Sequence, residues 1–266
     1  MWLSVVAKYL RLSWKIFLAN ISSAMSFRLS FFLHITGLSF FYIGNFLLWI
    51  IFFKQFSSIS GWGMSNLALV SALFLFSYSV IDSFAGGITE LARIICAGNL
   101  DYFLVFPKPV LWHIAVSKSD VTSIFSGFLS LWMFWYSGDI TVYKTSVFLL
   151  ASLFSIIIFF NFLVISQSLA FYLGNIEFAA LEARYLTATV SRYPHSMFPS
   201  PFKYIFMTII PSFFVVALPA DLVESFSLTT FSILLCVSIG SSFLAYFVFT
   251  KGLKRYESGN LVTVRM

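Results

Sequence analysis

Six long stretches of this sequence contain no Asp, Glu, Lys or Arg, and this feature limits the fold more than any other. The stretches are residues 29–53, 55–81, 121–138, 145–176, 204–220 and 225–250. A helix needs about 20 apolar residues to cross the hydrocarbon core of a bilayer, with a range of roughly 17–25. Each stretch is long enough, so the sequence predicts an all-α integral membrane protein with six transmembrane helices.

The overall composition supports this prediction. Only 10% of the 266 residues are charged and 60% are hydrophobic, whereas a soluble domain carries about 25% charged residues. Such a chain has too few charges to cover a surface that faces water. Lipid removes this need, so we expect the membrane to be the main partner of the chain.

The distribution of basic residues predicts the orientation. Basic residues concentrate in cytoplasmic loops. If the N-terminus is cytoplasmic, 14 of the 16 Lys and Arg residues fall inside, and only Lys54 and Lys144 fall outside. We therefore expect both termini in the cytoplasm. The same distribution explains the net charge of +6 through the anionic inner leaflet, and it does not indicate nucleic acid.

The chain is predicted to form a single transmembrane domain over residues 1–266. Residues 1–28 are expected to form an amphipathic helix in the membrane interface, because Lys8, Arg11 and Lys15 make a polar stripe at helical spacing. The remaining predicted parts are spans and two cytoplasmic loops. The spans are about 29–53, 65–81, 112–136, 146–173, 203–220 and 227–250, and the loops are 82–110 and 175–202.

Both cytoplasmic loops have helical patterns. In the first loop, Ile88–Cys96 is predicted to be a short helix in which Glu90 and Arg93 form an ion pair, and Leu100–Phe106 a second piece. In the second loop, a helix over about 176–192 is expected to turn four charged side chains toward water: Glu177, Glu182, Arg184 and Arg192.

The fifth span differs from the others because it contains Pro211 and has Pro219 near its end. Proline removes a backbone donor and kinks a helix. In lipid, a broken helix needs protein or a water-filled cavity to satisfy the freed carbonyl groups. We therefore expect this segment to be kinked, or to form a re-entrant connection between the fifth and sixth helices.

Several kinds of chemistry have no signature in the sequence. It contains no phosphate-binding loop and no H-E-x-x-H motif. His34, His113 and His195 lie far apart, as do Cys96 and Cys236. No central Asp, Glu, Lys or Arg is expected in a span. The polar span residues are interpreted as hydrogen-bonding groups between helices, in preference to substrate contacts: His34, Asn45, Asn161 and Gln167.

Three segments resemble one family. Gly98–Pro107 looks like a G-x-L-D-x-x-L-x-x-P segment after the second span. The series Tyr193-Pro194, Pro199, Ile210-Pro211 and Leu218-Pro219-Ala220 is similar to the Y-P … P … I-P … P-A pattern around the fifth span. The tail, 252–259, is similar to a G-L-x-x-Y-x-S-x-G ending, with its last glycine one position earlier than in that pattern. In their order and spacing they resemble the small six-span bacterial permease subunits of type-2 ATP-binding-cassette exporters.

This resemblance implies a multi-pass permease of the bacterial inner membrane that dimerises with a second copy or with a related chain. ATP and Mg²⁺ would bind to separate ATPase subunits, so no catalytic residue, metal ligand or cofactor is expected in this chain. The 82–110 loop would couple the permease to the ATPase through Glu90, Arg93, Asp101 and Pro107. Structural or gating roles would fall to Tyr193, Pro194, Pro211 and Pro219.

Two other classes of function remain open from the residues alone. An ion-coupled carrier or channel would need an inward-facing ionisable group or an inverted repeat. A membrane-embedded enzyme or assembly factor would need a cluster of acidic residues and histidines, and Asp221 with Glu224 comes nearest to one. The cargo of a transporter is not indicated.

Overall fold

The computed structural model describes residues 2–56, 58, 61–138, 140–193, 204–205 and 207–257, with the backbone alone for 2–6. These residues form helices and no strand. The helices are α1 (Trp2–Ser26), α2 (Arg28–Gln55), α3 (Met64–Ala85), α4 (Leu91–Cys96), α5 (Leu100–Leu104), α6 (Val110–Ser117), α7 (Ser123–Tyr136), α8 (Val142–Ser168), α9 (Ala170–Leu173), α10 (Glu177–Val190), α11 (Leu218–Glu224) and α12 (Leu228–Leu253). A 3₁₀ turn, Gly86–Glu90, joins α3 to α4, and a π-helical turn, Phe213–Ala217, precedes α11.

Four helical segments of the described residues are long and apolar enough to cross a membrane. They are Arg28–Gln55, Met64–Cys96, Val142–Leu173 and Leu228–Leu253. These segments coincide with the first, second, fourth and sixth predicted spans. The chain is therefore an all-helical, multi-pass membrane protein, while the count of six spans and the cytoplasmic position of the termini remain predictions.

The third predicted span, 112–136, is divided into two helices, α6 and α7. The Asp120 carboxylate causes the division by accepting hydrogen bonds from the Thr122 amide (3.0 Å), the Thr122 hydroxyl (2.6 Å) and the Ser123 hydroxyl (3.2 Å). The Asp120 amide donates to the Asp82 carbonyl at 2.8 Å. These bonds start α7 beside the end of α3. With 14 residues, α7 is about 21 Å long.

The segment around Pro211 and Pro219 is irregular, as the prolines predict. The π-helical turn follows Pro211, and Pro219 lies in the first turn of α11, where its missing amide costs no hydrogen bond. Val215 and Leu222 are fully buried. The Asn66 amide donates to the Glu224 carboxylate, which joins α11 to the first turn of α3.

Small and polar side chains hold the long helices together. Ser79 and Ser130 donate across the α3–α7 contact to the carbonyl groups of Ser123 (2.6 Å) and Ala72 (2.8 Å). Small residues let helices approach closely, and membrane helices rely on such packing and hydrogen bonding. Asn161 of α8 donates to two serine hydroxyl groups of α12 at 2.8 and 3.0 Å. The expectation that Asn161 joins two helices is confirmed.

The predicted N-terminal helix is present as α1. Its rings contact the end of the bundle where α3 and α6 meet: Tyr9 lies 4.9 Å from Trp112 and Phe17 lies 5.0 Å from Phe84, between ring centroids. α1 therefore packs on the elements that form the first predicted cytoplasmic loop.

Gly87 provides a test of the packing between the 3₁₀ turn and α6. A Cβ at this position would lie 1.8 Å from the Ile114 carbonyl oxygen, whereas a Cβ at Gly44 of α2 would contact nothing within 4 Å. We expect Gly87→Ala to lower the free energy of unfolding by about 1–3 kcal/mol, because overpacking forces the backbone to shift. Gly44→Ala is the matched control and should leave stability unchanged or raise it.

Thermal unfolding in detergent gives the melting temperatures of both variants. Equal melting temperatures for Gly87→Ala and the unmodified chain would show that the 3₁₀ turn and α6 do not pack as described.

Candidate functional site

A cavity of about 770 Å³ lies between α2, α3 and α10 and is the main candidate for a functional site. At one end its wall includes Glu90, Lys118 and Glu177, which belong to the first predicted cytoplasmic loop, the α6–α7 break and the start of α10. At the other end it reaches Tyr42 and Arg192. The volume is in the range of sites for drug-sized molecules.

A buried ion pair forms part of the cavity wall. The Arg184 guanidinium of α10 donates to both carboxylate oxygens of Asp82 on α3, at 2.6 and 2.8 Å, and to the Tyr78 hydroxyl at 2.5 Å. The side chains of Arg184 and Asp82 are only 11% and 9% exposed. The guanidinium also lies over the Tyr78 ring, 4.8 Å from its centroid. This pair fastens α10 to α3.

The prediction that Arg184 faces water is wrong. α10 runs antiparallel along α3, because Arg184 meets Asp82 while Arg192, eight residues later, meets Phe74, eight residues earlier. Eight helical residues span about 12 Å. Arg184 and Arg192 therefore face α3 and the cavity, whereas Glu182 is exposed and does not line this cavity. The segment lies against helices long enough to cross a membrane.

Arg192 lies among aromatic rings at the inner end of the cavity. Its guanidinium carbon is 5.4 Å from the Phe41 centroid, 5.6 Å from the Tyr42 centroid and 5.5 Å from the Phe74 centroid. A guanidinium within about 6 Å of a ring is attracted by the ring quadrupole. None of the ion pairs among the described residues includes Arg192. Arg192 is half-buried and lines the cavity, so the prediction of a water-facing side chain is confirmed for the exposed Glu177 and Glu182 and only in part for Arg192.

The predicted coupling residues Glu90 and Arg93 do form an ion pair. The structure adds Lys118, whose ammonium group lies 2.5 Å from the other Glu90 oxygen. The side chains of Arg93 and Lys118 are 57% and 58% exposed, so their charges reach solvent. Glu90 therefore links the first predicted cytoplasmic loop to the break between α6 and α7.

The other two predicted coupling residues lie farther along the same loop. Asp101 is exposed in the first turn of α5, and Pro107 is exposed in the bend before α6. Gly98, with φ +71°, ends the preceding turn, and its carbonyl accepts a hydrogen bond from the Tyr256 hydroxyl at 2.9 Å. The loop is thereby tied to the end of α12. The coupling role of all four residues remains a prediction.

The predicted gating residues are distributed over two places. The Tyr193 ring follows α10 and contacts the Trp49 ring of α2, with centroids 6.0 Å apart. Pro194 lies outside the described residues. Pro211 and Pro219 flank the π-helical turn near the beginning of α3, and no contact among the described residues joins them to Tyr193. Their gating roles remain predictions.

The ion pair of Asp82 and Arg184 can be tested by its effect on stability. Arg184→Met leaves an unpaired carboxylate in a buried position, and we expect a loss of about 3–5 kcal/mol in the free energy of unfolding. The double variant Asp82→Asn/Arg184→Met should recover most of this loss. Arg93→Met is the control, because its exposed pair is worth about 0–1 kcal/mol.

Chemical or thermal unfolding in detergent gives these changes in the free energy of unfolding. A double variant no more stable than Arg184→Met would contradict the view that the buried charge is the source of the loss.

Comparison with known proteins gives the family. A family model described as "ABC-2 family transporter protein" matches residues 38–259. No curated protein and no solved structure matches the chain. The match includes most of α2, the 82–110 loop, the cavity and α12. The chain therefore belongs to the ABC-2 transporter family, as a permease subunit.

Proposed function

We propose that this chain forms the translocation path of an ATP-driven exporter and that separate ATPase subunits supply the energy. The observation that carries the proposal is the cavity, which extends from the predicted coupling loop at Glu90 into the helix bundle at Arg192. A path for cargo has to be accessible from the side on which the ATPase docks. In the predicted orientation that side is the cytoplasm.

The contacts of the 82–110 loop support a coupling role. The loop packs on three other parts of the chain: Gly87 lies against Ile114, the Ala92 amide donates to the Gln167 side chain of α8 at 2.9 Å, and Gly98 is bound by Tyr256. A displacement of such a loop is transmitted to the helices it contacts. Exposed apolar residues next to Asp101 offer a contact for a partner: Tyr102, Leu104 and Val105.

The assembly we propose contains two permease chains in a bacterial inner membrane, with both termini in the cytoplasm. α2 exposes large apolar side chains along its length, such as Phe40 (76% exposed) and Leu48 (66% exposed). These surfaces fit lipid and a second permease chain. ATP and Mg²⁺ would be held by the ATPase.

An ion-coupled carrier is the second candidate, because Asp82 is a buried carboxylate that lines the cavity. Both of its oxygens accept from Arg184, which favours a structural role for the pair. The enzyme alternative has less support. Asp221 and Glu224 are exposed on α11, and Glu224 is bonded to Asn66. Partial burial of its carboxyl group and the nearby Glu224 charge raise the pKa of Asp221.

Charge reversal tests the coupling role. We expect Arg93→Glu to uncouple ATP hydrolysis from transport without affecting insertion, because two carboxylates would meet at Glu90 on the docking side. The control is Lys54→Glu, which reverses an exposed charge in the last turn of α2. It should change neither the rate of ATP hydrolysis nor the rate of transport. The double variant Glu90→Arg/Arg93→Glu restores opposite charges at positions 90 and 93 and should recover part of the coupling.

Vesicles that contain the permease and its ATPase report hydrolysis and efflux in parallel. Normal coupling in the Arg93→Glu variant would remove this loop residue from the coupling contact.

Co-purification tests the proposed assembly. The chain is expressed from its native operon with an affinity tag and extracted in a mild detergent, and we expect an ATPase subunit to be recovered in equal amount. ATP with vanadate should then change the protease sensitivity of the chain. If no ATPase is recovered and a proton or sodium gradient drives flux without ATP, the carrier function replaces the exporter.

A further inference from the structure

The inner end of the cavity is narrow and carries a positive charge. A second, smaller space of about 20 Å³ shares Tyr42 and Arg192 with the cavity and is also lined by Trp49 and Phe74. It has room for roughly one water molecule. Arg192 lines both the wide cavity and this smaller space. A molecule that enters from the wide end therefore meets the guanidinium at the narrow end.

The Arg192 charge has no acidic partner in the described part of the chain. The two ion pairs of the cavity wall join other residues: Asp82 with Arg184 and Glu90 with Lys118. The Asp120 carboxylate accepts hydrogen bonds from the first turn of α7. The remaining carboxylate of the wall is exposed Glu177, fifteen residues before Arg192, about 22 Å along a helix. The inner end is thus positive, and the outer end is neutral or negative.

Aromatic rings surround the Arg192 guanidinium, and its side chain donates no hydrogen bond to any other residue that the structure describes. Phe41, Tyr42 and Phe74 attract the cation through their ring faces, but ring faces accept hydrogen bonds poorly compared with an oxygen anion. A guanidinium has five N–H donors in a planar fork that matches the geometry of carboxylate and phosphate. A half-buried cation with these donors at the end of a cavity is a site for an oxyanion.

The wall beside Arg192 selects for more than charge. Leu38, Phe41, Leu181 and Ala188 line the same cavity and offer apolar surface along its length. The volume of about 770 Å³ is much larger than a phosphate or carboxylate group needs. An apolar or aromatic body attached to the anion would bury this surface.

We infer that the cavity binds an anionic amphiphile, whose phosphate or carboxylate group is held by Arg192 and whose apolar part lies along α2 and α10. The inference names the cargo class of the proposed translocation path and so rests on the proposed function. Its ligand chemistry fits two sources, an acidic membrane lipid and a smaller acidic solute with an apolar body.

The test is a binding measurement that needs no ATPase. The purified chain in dodecyl maltoside is titrated with dodecyl phosphate, and native mass spectrometry counts the molecules bound. We expect one more bound dodecyl phosphate for the unmodified chain than for Arg192→Gln, with binding at least about tenfold weaker in the variant, because a charge-assisted hydrogen bond is lost. Arg192→Lys keeps the charge and should retain part of the binding.

Arg255→Gln is the matched control. Arg255 also lies over a ring, 5.0 Å from the Tyr172 centroid, but it does not line the cavity. This variant should bind as the unmodified chain does, and dodecyltrimethylammonium should bind equally to all variants. All variants must show the same thermal unfolding.

Competition identifies the source. Displacement of dodecyl phosphate by phosphatidylglycerol indicates a lipid, and failure of phosphatidylglycerol to displace it indicates a smaller solute; both agree with the inference. Equal binding to Arg192→Gln and the unmodified chain would overturn it, and so would equally tight binding of inorganic phosphate alone. Binding with no ATPase in the co-purification would refute the exporter and leave this site intact. Recovery of an ATPase partner with no binding of dodecyl phosphate would support the exporter and refute this site.

Discussion

The buried ion pair of Asp82 and Arg184 determines the arrangement of the cavity. Two charges removed from water carry a large desolvation cost, which is offset only when their geometry is good and further hydrogen bonds are present. Here the guanidinium donates to both carboxylate oxygens and to Tyr78. With this contact in place, α10 lies antiparallel against α3. The same alignment brings Arg192 to the rings of α2 and α3, at the inner end of the cavity.

The sequence predicts the long helices well, because hydropathy depends on local composition. The charge-free runs 29–53, 145–176 and 225–250 each appear as a continuous helix long enough to cross a membrane. The division of the third predicted span is not evident from hydropathy, since it depends on Asp120. This residue bonds to Thr122, Ser123 and the end of α3. The irregular fifth segment was indicated by Pro211 and Pro219, but the course of its chain was not.

The candidate site shows a different limit of sequence analysis. The pair Glu90–Arg93 was predicted from its spacing of three residues, because neighbours on a helix surface are known from the sequence. Asp82 and Arg184 are 102 residues apart, and no local pattern pairs them. The polar stripe of 176–192 was interpreted as a face toward bulk water. Its two arginines face α3 and a polar cavity, while Glu182 is exposed. Both surroundings select polar residues, so the pattern alone cannot distinguish them.

The central claim is that the cavity opens at its Glu90 end, which is cytoplasmic in the proposed orientation, and narrows at Arg192. Cysteine labelling tests it most directly, with Cys96 and Cys236 replaced by serine and single cysteines placed at Thr189 of the cavity wall or at exposed Leu48 of α2. A membrane-impermeant maleimide should label Thr189→Cys in inside-out vesicles and not in right-side-out vesicles, and it should label Leu48→Cys in neither. Labelling of Thr189→Cys only from the outer side would contradict the account.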